Sequence, residues 1–321
     1  MATPGMEEVE EILDPAIDVP AEFELELTDL LPRKYLSVSQ MTTFLKCPQQ
    51  WYLRYIEQKS SKPSARMFQG IQVHSAVEAI LSAKLATGTL PPVALGYDTY
   101  STAFDEHKPL IEDWEGEDPG KVKDVGIECT KQFYQEAAPT AMPVMVEKAF
   151  HTVIRSNDGK ISLPVLGRID SIQVQALNDD DYQGMRETAV ADVKAQTDKG
   201  STVPDLPKVK KPLRIHDLKV VTDKWGGDDL NNDLQFHLYA GVEHIPDVQV
   251  DMLVKGRAKV PRPRYEVMNG VISPQMVKHA VRVTEGVAKS IGMGHFPPTD
   301  PSNWWCGEKW CSMWFHCRGK K

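Results

Sequence analysis

Apolar residues recur at helical spacing early in the chain. Val73, Val77, Ile80 and Leu81 predict a helix opening near Gly70. Ahead of it, Ser37 or Ser39 can cap a helix running through Phe44 and Leu45. Pro48 then leads into an aromatic-rich helix, Gln49 to Ile56, which carries Trp51, Tyr52 and Tyr55. Pro91 and Pro92 mark a break, and a further helix covers Val122 to Glu136. The pattern then turns to β-branched runs. Val144 to Ile154 and Leu163 to Val174 read as strands joined by a turn at Asn157-Asp158-Gly159. Residues 178–212, with Pro204, Pro207 and Pro212, read as an irregular insertion with a short strand at Ala189 to Ala195. Beyond it come a strand at Ile215 to Val221, a helix at Leu230 to His244 and strands at Val248 to Val254 and Tyr265 to Ile272. Ser273-Pro274 opens a long last helix. The chain shows no internal repeats, and the order of elements predicts an α/β fold with a mixed sheet.

Charge divides the chain unevenly. The net charge is −8, yet residues 1–32 hold ten acidic side chains and no Lys or Arg, which leaves 33–321 at +2. Residues 1–32 read as an acidic disordered tail, either solubilising or a nucleic-acid mimic. The slightly basic remainder is compatible with a nucleic-acid partner, and Lys255, Arg257, Lys259, Arg262 and Arg264 gather late in the chain. No apolar run is long enough to span a bilayer and no secretory signal is evident, so a cytoplasmic location is expected. There is no G-x-x-x-x-G-K-[ST] motif, so the chain is not itself a helicase.

Candidate chemistry lies on the strands. In His216-Asp217-Leu218-Lys219, strand alternation sends Asp217 and Lys219 to one face and Leu218 to the other. Asp170, in Gly167-Arg168-Ile169-Asp170, lies on the strand expected beside it. Two carboxylates can hold a hard cation such as Mg²⁺, and the ammonium can orient water or balance charge, which suits phosphodiester hydrolysis. A second D-x-K exists at Asp192-Val193-Lys194. The later copy is preferred because its strand is more apolar and leads into a helix with Gln235 and Tyr239 at i,i+4. His74 and Glu78 also share a helix face.

These stretches, taken in order, resemble the RecB-type branch of the PD-(D/E)XK nucleases. The matching segments are Ser39-Gln40 through Cys47-Pro48-Gln49-Gln50-Trp51-Tyr52, then Gly70 to His74, Gly167 to Asp170, His216 to Lys219, and Leu234-Gln235-Phe236-His237-Leu238-Tyr239. The resemblance implies a restriction-endonuclease-like core in residues 33–321. It implies a metal site of His74, Asp170, Asp217 and Leu218, with Lys219 completing the catalytic set and Gln235 and Tyr239 buttressing it or touching nucleic acid. Glu78 is a candidate near that site. The Asp170 to Asp217 gap of 47 residues is long for the family and leaves Asp192 and Lys194 as the alternative pair. Lys208, Lys210 and Lys211 of the insertion form either a nucleic-acid flap or a solvated loop.

The last segment, 297–321, carries Cys306, Cys311 and Cys317 among aromatics, with His316 beside them. In the clustered branch of the family, three late cysteines and one early one hold a [4Fe–4S] cluster, which makes Cys47 the fourth ligand and joins the N- and C-terminal segments. Four residues separate the first two late cysteines where the family usually has two, and zinc is the alternative. Cys129 sits at an apolar helix position and reads as core. Trp51, Tyr52 and Trp310 can stack on unpaired bases or pack around the cluster. The resemblance therefore implies a Mg²⁺- or Mn²⁺-dependent DNA exonuclease in a bacterial or phage-infected cell. Its work would be recombination, repair or replication, alongside a helicase or recombinase. A non-catalytic DNA-binding subunit and a zinc-stabilised interaction protein are the alternatives.

Overall fold

The computed structural model describes residues 31, 35–59, 64–111, 114, 116–155, 162–175, 178–199, 205–208, 212–256 and 262–319. The acidic tail apart from Leu31, the turn at 157–159, and Lys210, Lys211, Arg257 and Lys259 lie outside them. The chain forms two compact units, one of residues 63–150 and 168–274 and a smaller one of 1–62, 151–167 and 275–321.

In the larger unit, three helices pack together: α3 (Ala65–Thr87), α4 (Val93–His107) and α5 (Pro119–Glu136). Ser64 caps α3 by accepting from the Met67 N–H, so the helix begins five residues before Gly70. Helix α4 follows directly on Pro91-Pro92, where the sequence pattern had shown only a break. Strands β2 (Pro143–Arg155) and β3 (Ser162–Val174) pair with each other, and β3 continues the sheet to β4 (Leu213–Val221), β5 (Asp247–Val254) and β6 (Arg264–Val271). The β3–β4 and β5–β6 pairs are antiparallel and β4–β5 is parallel, so the sheet is mixed. Parallel neighbours need a crossover, which α7 (Gly227–Asn232) and α8 (Leu234–Glu243) supply. The helices cover one sheet face. Leu218 and Leu253 join Val73, Ile80, Tyr100, Phe104 and Phe133 in a common buried core, each such side chain contributing about 1.5–3 kcal/mol. Cys129 lies fully buried in that core, as its helix position predicted.

One expectation is overturned. Residues 179–198 are not an irregular insertion with a strand but a 20-residue helix, α6, with Asn178 accepting from the Asp181 N–H and Asp179, Asp180 and Asp181 in its first turn. The residues read as a turn are helix-start chemistry: a capping amide, then carboxylates against the positive helix end.

In the smaller unit, β1 (Leu36–Ser37) pairs in parallel with Val165 and Leu166 of β3. Ser37 caps α1 (Val38–Lys46), and α2 (Pro48–Trp51) runs on as a π-helical turn through Ile56. The buried Trp51 ring stacks on Phe296, with centroids 5.6 Å apart, beyond the end of α9 (Pro274–Gly292). A short α10 (Trp314–Arg318) closes the described chain. Among the described residues, no helix is long and apolar enough to cross a membrane.

Candidate active site and thiol cavity

On β4, alternation places Asp217 and Lys219 on the face opposite the Leu218 side chain, which is buried in the helix-covered core. Asp217 is 2% exposed, and the Lys219 ammonium lies 2.7 Å from its Oδ2. Gln235, at the start of α8, bridges the pair: its Nε2 donates to Asp217 Oδ1 at 2.5 Å and its Oε1 accepts from Lys219 Nζ at 3.2 Å. Asp233 positions this turn by capping the Gln235 N–H. Asp170, on β3, accepts from the Leu218 backbone N–H at 2.7 Å and stands 3.6 Å from His74 Nδ1 on α3. Tyr239 donates its hydroxyl to the Arg168 carbonyl at 2.6 Å and packs edge-on against Phe150. The structure thus brings His74, Asp170, Asp217, Lys219, Gln235 and Tyr239 together within one unit.

The electrostatics follow from burial. Removal from water pushes the Asp217 carboxyl well above its ordinary range, Lys219 opposes this, and the Asp170 carboxylate adds to it. Lys219 is itself penalised by burial, but Asp217 and Asp170 outweigh that and raise its pKa. Burial lowers His74, with Asp170 pulling the other way. Asp217 Oδ2 is buried and, among the described residues, has the Lys219 ammonium as its partner. The carboxylate oxygens of Asp170 and Asp217 are the donor type that suits a hard divalent cation. Among the described residues, no three His, Cys, Asp or Glu side chains converge closely enough to hold an ion unaided.

The alternative pair, Asp192 and Lys194, sits on α6. Lys194 pairs with Asp198 at 2.8 Å on the exposed side of that helix, and the Asp192 carboxylate accepts from the Lys208 N–H. Three positions apart on a helix is a shared face, but two positions apart is not, so this D-x-K cannot converge as the strand copy does.

Sequence reasoning missed Glu147. It lies in β2 with φ +49°, a left-handed conformation that a non-glycine strand residue rarely takes. Its Oε2 lies 3.6 Å from Arg168 Nη1. Burial pushes its carboxyl up to about 8, helped by the charges of Asp170 and Glu78. The same charges make Glu78 part of the acidic surroundings. Only the lone acid in an otherwise apolar run, Val144-Met145-Val146-Glu147, signalled it in the sequence.

In the smaller unit, Cys47, Cys306, Cys311 and Cys317 line a single cavity with Trp305 and Met313. All four are free thiols. Cys47 Sγ accepts from the Thr299 N–H at 3.4 Å. Burial raises the Cys311 thiol pKa, and Cys47 and Cys306 add to it; burial likewise raises Cys317, against the pull of Arg318. Lys309 lies over the Trp310 ring and Arg318 over the Trp314 ring beside this cavity.

Solved structures with 12% identity include the protein SSO0001, with TM-score 0.41 over 90% of this chain and 87% of the other. A second, titled "Putative exonuclease" and from Eubacterium rectale, has TM-score 0.44 over 85% of this chain and 87% of the other, also at 12% identity. No curated protein sequence is a significant match. The model of the PD-(D/E)XK nuclease superfamily matches residues 35–318, which takes in both the acidic site and all four cavity-lining cysteines. The chain belongs to the PD-(D/E)XK nuclease superfamily.

Proposed function

We propose that this chain is a divalent-metal-dependent DNA exonuclease of the RecB-like branch, with Asp170, Asp217 and Lys219 at its reacting centre. The observation that carries the reading is the buried Asp217–Lys219 pair on one face of β4, with Asp170 tied to the backbone between them. Asp170, Asp217 and His74 would hold a Mg²⁺ or Mn²⁺ ion, which when bound polarises a phosphoryl oxygen and lowers the pKa of water. Lys219, fixed by Gln235 and Asp217, orients the attacking water and offsets charge that develops on the phosphorane oxygens. Tyr239 and Gln235 are positioning residues: one holds the β3 backbone two residues before Asp170, the other holds the Asp217–Lys219 pair.

The four cavity-lining cysteines support a Cys₄ centre, a [4Fe–4S] cluster in our reading, with zinc as the competing occupant. The resemblance points the activity toward end-processing in recombination, repair or replication, alongside a helicase or recombinase.

The test is degradation of end-labelled single- and double-stranded DNA with Mg²⁺, Mn²⁺ or EDTA, wild type beside Lys219→Ala. Metal-dependent cleavage by the wild type, reduced about 100-fold or more in the variant, is expected. Equal cleavage by both proteins would overturn the assignment of Lys219. No cleavage by folded, metal-loaded wild type would favour a non-catalytic DNA-binding subunit.

A further inference from the structure

The helix-covered face of the sheet carries a second polar constellation that the acidic site does not use. His216 precedes Asp217 on β4, so alternation turns it to the opposite face. There its Nδ1 lies 3.0 Å from Asp251 Oδ2 on β5. The buried Asp251 also receives the Tyr265 hydroxyl at 2.5 Å and Gln249 Nε2 at 2.8 Å, both on Oδ1. Arg214 Nη1 donates to Gln249 Oε1 at 3.2 Å and to Asn269 Oδ1 at 3.3 Å. Arg214, His216, Gln249, Asp251 and Tyr265 of this network line an open cavity of about 320 Å³, at the small end of the range for small-ligand sites.

A purely structural network would use up its donors. Here, among the described residues, Arg214 Nε is buried without a hydrogen-bond partner, and Arg214 faces no carboxylate at ion-pair distance. Asp251 is already matched by three partners, so a cation has little to gain from it. The free donor belongs to a guanidinium that no carboxylate neutralises, and its planar fork suits a phosphate monoester. The lining also includes apolar Phe133, Ala137, Ala141 and Met142, and Gln173 stands directly across the β3–β4 pair from Arg214. A cation and an apolar patch in one cavity fit a phosphate joined to a flat heterocycle.

We propose that this cavity binds a nucleoside 5′-monophosphate, with the phosphate on Arg214 and the base against Phe133 and Met142. The choice of a nucleotide over other phosphomonoesters rests on the nuclease reading, for which it is the product class; the anion site itself does not. Since His216 and Asp217 are consecutive on β4, occupancy of one face bears on the strand that carries the other.

Calorimetric titration with a deoxynucleoside 5′-monophosphate, and separately with inorganic phosphate, tests this. The proteins are the full chain, Lys219→Ala, Arg214→Met and Thr140→Trp, in EDTA so that the acidic site takes no metal-bridged phosphate. Saturable nucleotide binding by wild type and Lys219→Ala alike is expected. It should weaken about tenfold or more in Arg214→Met, as for loss of a hydrogen bond to a charged group. Thr140→Trp fills the cavity wall without touching the network, and should block binding while the fold is retained. No saturable binding by wild type would overturn the site, as would binding that survives both cavity variants or is lost in Lys219→Ala. Phosphate binding as tight as nucleotide binding would overturn the base subsite. Nuclease activity without nucleotide binding would sink this inference and leave the proposed function standing; nucleotide binding without nuclease activity would do the reverse.

Discussion

Asp217 and Glu147 show how burial sets the behaviour of single carboxyls here. Each is pushed upward mainly by removal from water, and neighbouring acids add to the shift. For Glu147, the folded chain favours the protonated acid up to about pH 8, against 4.5 for an ordinary glutamate. The proton is therefore held more tightly in the folded state. The associated stability is present in full below about pH 4.5 and is lost as pH rises through about 8. Glu147→Gln removes that dependence. In thermal melts with EDTA, the variant should melt with wild type near pH 4.5 and above it near pH 9. A wild type whose melting temperature falls no further than the variant's over that span would contradict the assignment. Added Mg²⁺ should narrow the gap, because a cation among these carboxylates favours their ionised forms.

Among the elements, the three packed helices meet at glycines that leave no room for a methyl group. A Cβ on Gly96 of α4 would lie 2.7 Å from Ile80 Cδ1 of α3, and one on Gly126 of α5 would collide with the Tyr100 ring and hydroxyl of α4. Tyr100 is fully buried in the helix core beside Phe104. Gly126→Ala should therefore destabilise the protein by about 1–3 kcal/mol in chemical denaturation, despite alanine's better helix propensity. A stabilised variant would mean that the helices separate freely. The strands were legible because β-branched runs and alternation signal them, and the observed bounds of β2 to β6 fall within two residues of those expected. Helix α6 was not legible. Its apolar residues are sparse, and Asn178 with its following aspartates carries the same side chains in a turn as in a helix start. Helix α4 was hidden for the same reason, since a proline that ends one pattern also begins a helix. The Asp217–Lys219 convergence follows from strand period alone. The left-handed backbone at Glu147 does not, because no side-chain pattern encodes a distortion at one strand position.

For the whole molecule, the four cysteines come from distant parts of the chain: Cys47 stands 259 positions before Cys306. A metal centre on them would close a very long loop, and its binding energy would become folding energy of the smaller unit. Cys47→Ala should lose iron and labile sulfide and lower the melting temperature about as far as Cys311→Ala does; undiminished iron in Cys47→Ala would remove it from the ligand set. The interleaving of the two units also fixes an order in time. The larger unit is complete once Pro274 has been synthesised, while the smaller one still lacks its last segment, 275–321. During translation, then, the acidic face is chemically entire on the nascent chain while three of the four cavity-lining thiols do not yet exist. The polypeptide leaves the ribosome with its acidic site made first and its sulfur site made last.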